Sequence, residues 1–446
     1  MLAGIAEAIH GTPVTARRDA APGVASPRQL ALLSAAAFAS MTSMRICDPL
    51  LPALARDFDT TTGHAAQVIS AFAIAYGLLQ LFYGPLADRY GKFRVVSLAV
   101  VGCALSNLAA AFAPSLALLV VFRAATGATA AAVIPLTMAW IGDAVSYDRR
   151  QEVLARLLGA TVVGMIVGQW AGGFFADTLG WRSVFIALAL LFTVVGVLMR
   201  VDLRRSGSEA MLPRAADAHP HATPIHAADM ARGAAHRPRD AAGGSPDTYV
   251  ARIRAVVSVP WARRILGLAF VEGGFAYSAF AFVPSALHQR FGLAMTWAGA
   301  VLALYGVGGF FYSRLASTML RRWGEAGLVR GGGLLLCITF TMLALMPHWA
   351  WSLPACFIGG LGFYMLHNTL QTHATQMAPR VRGTAVSLYA CTLFLGQSVG
   401  IVCAAWVVDH GSASRVFAGA AVMLPLLALW FAARLRAHSA AKPVVA

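Results

Sequence analysis

Apolar runs long enough to cross a bilayer as a helix, about 18 residues or more, recur from Leu30 to Ala433. They predict spans near 30–55, 66–88, 94–113, 115–142, 152–177 and 182–201. After a polar interval, further spans follow near 262–287, 295–318, 328–346, 351–376, 384–408 and 416–433. Most connections are short. The interval 202–261 is not: it is rich in Ala, Pro, Arg and His and lacks an apolar face, so it cannot bury a core. The pattern predicts an all-α polytopic membrane protein of twelve helices in two six-helix bundles, 29–201 and 262–436, joined by a cytoplasmic linker. Residues 1–28, with Arg17, Arg18, Asp19 and three prolines before any apolar run, read as a disordered cytoplasmic lead-in rather than a signal peptide. Residues 437–446 read as a cytoplasmic tail.

Composition agrees with the pattern. At 58% hydrophobic and 12% charged, the chain lies far from soluble proteins, which carry about 25% charged residues. A soluble enzyme, a nucleic-acid-binding domain and a secreted disulfide scaffold are excluded. The net charge of +16 could suggest a nucleic-acid partner, but placement argues otherwise. With the N-terminus inside, 29 of the 35 basic residues fall in inside segments. Only Arg56, Arg182, Arg290 and Arg415 lie outside, and Arg45 and Arg123 lie within helices. That asymmetry places both termini in the cytoplasm. The six cysteines all fall in apolar runs without a C-x-x-C pair, and read as small buried hydrophobes. His219, His221, His226 and His236 of the linker lack the Cys or carboxylate spacing of a metal site, and no metal is expected.

The two bundles repeat one another at an offset of 232 residues. Pro52 pairs with Pro284, Gly77 with Gly309, Arg89 with Arg321, and Gly127 with Gly359. Arg150 pairs with Arg382, Gly164 with Gly396, Gly168 with Gly400, Asp177 with Asp409, and Val184-Phe185 with Val416-Phe417. An even number of helices per copy gives both copies the same orientation. They are then related by an axis along the membrane normal, as in many secondary transporters, with a central cavity at their interface.

Several local motifs are more specific. GPLADRYGKFR (84–94) supplies Gly84, Asp88, Arg89, Gly91, Lys92 and Arg94 between the second and third helices. Gly91 permits a tight turn, and Asp88 suits the N-terminus of a neighbouring helix. This loop resembles the G-x-x-x-D-R-x-G-[RK] signature of the major facilitator superfamily. The equivalent LRRWGE (320–325) puts Arg321 near the Asp position, so the carboxylate is present in one half only. Arg123 in VVFRAATG (120–127) is similar to the R-x-x-x-G signature of helix 4. GMIVGQWAGG (164–173) resembles the G-x-x-x-G-P-x-x-G-G signature of antiporter branches, matching Gly164, Gly168, Gly172 and Gly173 and placing Gln169 where that pattern has Pro. Small residues at this spacing let two helices approach closely. DPLLPALARDF (48–58), GFFYSRLASTMLRRWGE (309–325), RGTAVSL (382–388) and GQSVG (396–400) also look like bacterial twelve-helix drug and metabolite efflux permeases.

Intramembrane charges mark function by default, at an insertion cost of about 2.5–3.5 kcal/mol each. Arg123 and Glu272 lie eight residues into their helices, roughly 12 Å deep at about 1.5 Å per residue. They are placed near the midplane, either as a pair or as separate proton and ligand groups. Asp48, with Arg45 one turn earlier, is a second candidate pair. Tyr76, Gln80, Asn107, Gln169, Tyr277, Tyr305, His367, Asn368 and Gln371 are the polar and aromatic candidates for a cavity.

No G-x-x-x-x-G-K-[ST] loop and no H-E-x-x-H are present, so neither ATP nor a zinc site is expected to power the protein. The resemblance implies proton-coupled efflux of a small organic compound by alternating access. No cofactor beyond the proton gradient is implied, and the setting is a bacterial inner membrane with the chain acting as a monomer. Uptake by symport or uniport is the alternative; a non-transporting receptor is a lesser one. By the resemblance Asp88 approaches the helix that begins at Arg382 when the cytoplasmic side closes. The charge asymmetry itself predicts that a reporter fused within 220–240 is cytoplasmic; labelling from outside the cell at that segment would overturn the topology.

Overall fold

The computed structural model describes residues 26–205 and 249–440. Its spanning helices are α1 (Pro27–Asp57), α2 (Thr62–Tyr90), α3 (Lys92–Ala111), α4 (Leu116–Ala144), α5 (Asp148–Thr178), α6 (Trp181–Arg205) and α7 (Pro260–Phe291). The apolar stretch Met295–Leu345 is continuous by length, but Gly324 interrupts it with φ 63° and ψ 176°. That left-handed turn, open to glycine at little cost, separates α8 (295–323) from α9 (325–345). α10 (Trp349–Gln376), α11 (Pro379–Asp409) and α12 (Ala413–His438) complete the set. All described secondary structure is helical. Twelve crossings bring both ends of the described chain, Ser26 and Ala440, to one side, called here the linker face; the other is the far face.

Tyr249–Ser258 forms a further helix before α7. The polar interval of the sequence is therefore shorter than 202–261: its first residues, with Asp202 buried against Arg28, close α6, and its last dozen fold onto the bundle. In YVARIRAVVS the side chain of Val256 is the one buried, and it docks this short helix. The linker histidines, the lead-in before Ser26 and the last six residues lie outside the described residues.

Proline shapes the helices at mid-membrane. α1 runs regularly to Arg45, turns, continues as a single 3₁₀ turn over Asp48–Leu50 and resumes at Leu51. Pro49 and Pro52 lack the N–H groups that the carbonyls of Arg45 and Asp48 would accept from. α7 is interrupted twice, by a π turn, Gly273–Tyr277, whose counterparts in α1 are residues 41–45, and by a break at Phe282, ahead of Pro284 and level with the break in α1. α4 breaks at Ala131–Ala132, ahead of Pro135.

Each half builds its own core. Leu33, Val68, Phe72, Phe185 and Phe192 anchor the first; Ile265, Phe280, Phe340, Phe363 and Phe417 anchor the second. Leu105, Phe112, Leu190, Leu334, Val422 and Leu426 stand exposed around the outside, where lipid is the solvent.

Inside each half one seam brings helix backbones together at successive glycines. A Cβ added to Gly164, Gly168 or Gly172 of α5 would lie 2.4, 2.6 or 2.2 Å from the carbonyl oxygens of Phe38, Thr42 and Ile46 on α1. In the other half, Gly396 and Gly400 of α11 meet the carbonyls of Phe270 and Gly274 on α7, each at 2.0 Å from such a Cβ. Phe38 and Phe270, like Gly164 and Gly396, are 232 apart, so two of the contacts repeat at the same offset, while Ala404 stands where the third glycine, Gly172, would recur. Thr42 Oγ1 also donates across it to the Gly164 carbonyl at 3.0 Å. Gly168→Ala forces backbone apart, and overpacking of this kind costs about 1–3 kcal/mol. Thermal unfolding of the purified protein should show that loss. Gly159→Ala on the same helix, where a methyl meets nothing within 4 Å, should be near neutral; equal effects would refute the seam's role.

Candidate functional site

Between the halves lies a cleft whose geometry follows from where they touch. α2 meets α11: Gly77 faces Phe394 and Cys391, the Tyr76 ring lies 4.7 Å from Phe394, and Ser398 Oγ donates to the Ser70 carbonyl at 3.1 Å. α5 meets α8: Gly299 abuts the Gln169 carbonyl, Gly306 abuts Ile166, and Gly173 abuts Met295. These contacts run from mid-membrane to the far face. Toward the linker face the described contacts between the spanning helices of the two halves thin out, although the Phe82 ring of α2 still lies 6.4 Å from that of Tyr249 in the helix before α7. A methyl at Gly84, Gly159 or Gly383 would meet nothing within 4 Å, and Leu86 and Leu158 are exposed. The cleft is thus open to the linker face and shut at the far face.

At its closed end, Arg45 lies over the Tyr277 ring, 4.4 Å from its centroid. These residues are 232 apart, so each is the other's counterpart. A contact between counterparts sits on the pseudo-two-fold axis. Arg45 Nη1 lies 3.9 Å from Asp48 Oδ2, both side chains buried, and the second Asp48 oxygen and Arg45 Nε have no hydrogen-bond partner. The pair is an ion pair at a distance beyond a hydrogen bond, between residues three apart across the break in α1.

Arg123 and Glu272, candidates for a pair, are not paired. Arg123, fully buried, donates to Ser43 twice, through Nη2 to the carbonyl at 3.0 Å and Nη1 to the hydroxyl at 3.4 Å. Its guanidinium also lies 4.4 Å from the Phe72 ring centroid. Its hydrogen bonds tie the end of the first α1 segment to α4, with the Phe72 and Phe185 rings beside the guanidinium. Glu272 belongs to the other half and has another partner: its Oε2 lies 3.1 Å from His367 Nδ1. The Tyr389 hydroxyl lies 3.4 Å from the same nitrogen. Phe363 stacks on the imidazole at 5.0 Å and 13°. Glu272 is 0% exposed while the His367 side chain keeps 12%, so the imidazole stands between the carboxyl group and the more accessible space. Glu272 Oε1 has no hydrogen-bond partner. The residue immediately precedes the π turn, where Gly273 packs on the Leu393 carbonyl. Such turns recur at functional sites.

Chemically, this cluster can hold one proton in two places. Either the imidazole N–H donates to a carboxylate, or a carboxylic acid O–H donates to a neutral imidazole. Moving between them displaces a proton by one hydrogen bond.

The other candidates divide by environment. Tyr305 is buried among Phe280, Phe363 and Tyr364. Tyr76 is buried in the α2–α11 contact. Gln169 is buried under α8 with its side-chain oxygen unpartnered, and Asn107 turns back on its own helix to the Cys103 carbonyl. Gln80 is half-buried, also with an unpartnered oxygen. Asn368 is half-buried, and Gln371 is exposed one turn beyond His367 toward the linker face. Sequence reasoning missed Ser43 and Tyr389, neither of which carries any motif.

Around the α2–α3 turn, Gly91 adopts φ 89° and ends α2. Lys92 pairs with Asp143 of α4, and Arg89 lies over the Tyr90 ring at 5.3 Å. Asp88 is exposed and makes no ion pair with Arg382 or any other described residue. The expected approach of Asp88 to the start of α11 is absent because the halves are parted on this face. Arg382 instead lines a surface pocket with Trp261, His373 and His438.

GQSVG (396–400) also spells the G-x-S-x-G of a hydrolase elbow. Here it lies within a continuous helix, its glycines pressed on α7 and its serine bonded to the Ser70 carbonyl. That is packing, not a nucleophile on a strand-to-helix turn.

Comparison with known proteins agrees with this architecture. An uncharacterized MFS-type transporter, YceJ of Bacillus subtilis, is 24% identical over 363 residues, covering 80% of this chain and 84% of that one. A chloramphenicol resistance protein of Streptomyces lividans is 24% identical over 386 residues, covering 86% and 90%. Among solved structures, a point mutant of the nucleoside transporter NupG superposes with a TM-score of 0.70 at 13% identity, covering 91% of this chain and 98% of that one. The POT family transporter PepTSo gives 0.70 at 15% identity, covering 94% and 99%. These two share the fold. The sequence model of the Major Facilitator Superfamily matches residues 33–400, and the chain belongs to that superfamily of transporters.

Proposed function

We propose that this transporter is a proton-coupled exporter of a small organic compound, set in a bacterial inner membrane with the linker face in the cytoplasm. The observation that carries the reading is the Glu272–His367 cluster: a fully buried carboxyl group whose one hydrogen-bonded neighbour is itself titratable and more accessible. An intramembrane carboxyl at this depth is costly, and a structural role needs no titratable relay. Asp48 beside Arg45 is the second carboxyl that could take part. Arg123, tied to Ser43, supports the site by fixing α1 rather than by exchanging a proton.

Export is favoured by two observations. One relative is named for chloramphenicol resistance, and the α5 glycine pattern resembles that of antiporter branches. The linker face is assigned to the cytoplasm by the excess of basic residues on it. On this assignment the cleft opens inward in the present conformation. Rocking of the halves then exposes it outward, and substrate and proton occupy it alternately. Tyr277, Asn368 and Gln371 are its polar lining. Asp88, with Arg89, Lys92 and Arg94 around it, meets the Arg382 end of α11 once the cytoplasmic side closes. The energy source is the proton gradient, with no cofactor, and the chain works as a monomer.

The experiment uses everted membrane vesicles and a panel of compounds with chloramphenicol first, following dissipation of an imposed pH gradient when each is added. Glu272→Gln should reduce gradient-driven transport at least about tenfold, equivalent to about 1.4 kcal/mol, while the purified protein unfolds at an unchanged temperature. A variant that still responds fully to the gradient would transfer the role to Asp48.

Asp88→Asn keeps the side chain's size and one acceptor but removes its charge. Loss of a charge-assisted contact worth roughly 1–3 kcal/mol should shift the population toward the inward-open state about tenfold or more and slow turnover. Binding of the transported compound should stay within about twofold, since Asp88 lies at the membrane surface. Normal turnover, or binding lost in step with transport, would defeat the gate.

A further inference from the structure

Two of the contacts that join the halves at the far face are copies of each other, beside a further hydrogen bond there from Gln289 Nε2 to Thr62 Oγ1 at 3.0 Å. At the end of α5, Asp177 accepts hydrogen bonds from the backbone N–H groups of Met295 (3.2 Å) and Thr296 (2.7 Å) and from the Thr296 hydroxyl (2.7 Å). At the end of α11, Asp409 accepts from the Gly63 N–H (2.9 Å) and the Thr61 hydroxyl (2.6 Å). Asp177 and Asp409 are 232 apart, and so are Gly63 and Met295. The remaining donor has a counterpart too. The His64 N–H, equivalent to that of Thr296, donates to Thr61 Oγ1 at 3.0 Å, and Thr61 passes the interaction on to Asp409.

Below each carboxylate the two halves touch backbone to backbone. A Cβ on Gly173 would stand 2.0 Å from the Met295 carbonyl, and one on Gly63 would stand 2.5 Å from the Ala405 carbonyl. Residues 173 and 405 are counterparts, as are 295 and 63. Each contact contains one glycine, carried by α5 in the first and by α2 in the second. The close approach is therefore kept in both copies by different means.

Neither aspartate helps its own helix. A carboxylate in the last turn faces the unsatisfied carbonyls and the negative end of the helix dipole. Its favourable partners are the free N–H groups that begin a helix of the opposite half. Each aspartate is thus better placed with the far face closed than open.

We propose that Asp177 and Asp409 are positioning residues of the transport cycle: twin latches, one on each side of the pseudo-two-fold axis, that hold the far face closed and release together. Each half is stiffened by its glycine seam, so rocking that opens the far face draws α5 from α8 and α2 from α11 in one movement. Coupling through the rigid halves makes the two latches one switch. This reading uses transport by alternating access and does not depend on the proton assignment or on the direction of export.

Hydrogen–deuterium exchange of the full chain in lipid nanodiscs tests it without any substrate. Asp177→Asn, Asp409→Asn and the double variant are compared with the parent at residues 295–299 and 62–66, the first turns of α8 and α2. Local opening sets exchange at such sites, and a lost charge-assisted set of bonds at a partly exposed site should raise it about three- to tenfold. The expected signature is reciprocal: Asp177→Asn raises exchange at 62–66 as well as at 295–299, Asp409→Asn does the same in reverse, and the middle of α3 is unchanged. Loosening confined to the mutated contact would show two independent caps and overturn the proposal, as would no change at either site. If the Asn variants do not fold, Thr296→Val and Thr61→Val each remove one donor and leave both carboxylates. The same reciprocal pattern, at smaller amplitude, is then required.

Discussion

Everything in this fold rests on helix backbones approaching closer than any side chain permits. In a bilayer, lipid tails solvate leucine as well as another helix does, so apolar surface alone does not bring helices together. What draws α5 onto α1 and α11 onto α7 is dispersion between backbones, available only where glycine leaves the surface bare. The carbonyls of Phe38, Thr42 and Ile46 fill the places that side chains at Gly164, Gly168 and Gly172 would take. That seam turns six helices into a body that moves as a unit, and moving as a unit is what alternating access requires.

Once each half is rigid, its polar groups can be placed and left partly unsatisfied. Asp48, Glu272, Gln169 and Arg123 each retain a buried atom without a hydrogen-bond partner. Such atoms are costly in a static core. If the two halves part and close as proposed, part of that cost belongs to one conformation rather than to the fold. The breaks in α1 and α7 serve the same end: proline and the π turn release backbone groups at mid-membrane, where the two halves meet.

The sequence was informative wherever physics acts locally. Hydropathy located all twelve crossings, because the requirement for a long apolar helix is imposed residue by residue. The repeat at 232 carried the architecture, and the glycine spacing 164, 168, 172 marked the residues that lie in the seam. Side-chain partnerships were less legible. Depth along a helix put Arg123 and Glu272 on one level, but rotation about each helix axis, set by packing, turned them to Ser43 and His367. The linker concealed a ten-residue helix, since one buried valine leaves little trace in a hydropathy profile. Asp88 and Arg382 were read for a closed state while the structure is open on that face; conformation is a property of the pair of halves, not of either motif. Asp177 and Asp409 were visible only as matched letters, because helix-end carboxylates look like ordinary surface charge until the opposite half is docked.

The contact between Arg45 and Tyr277 has a historical consequence. In a symmetric dimer of identical six-helix units, a residue on the axis faces its own copy. Two arginines there would repel in a low-dielectric setting, and two tyrosines would lack a cation. Fusing duplicated units into one polypeptide lifts that restriction, because the two positions can then mutate separately. A cation resting on an aromatic ring at the centre of symmetry is thus a chemistry open to a single chain with two unlike halves and closed to a homodimer of identical units.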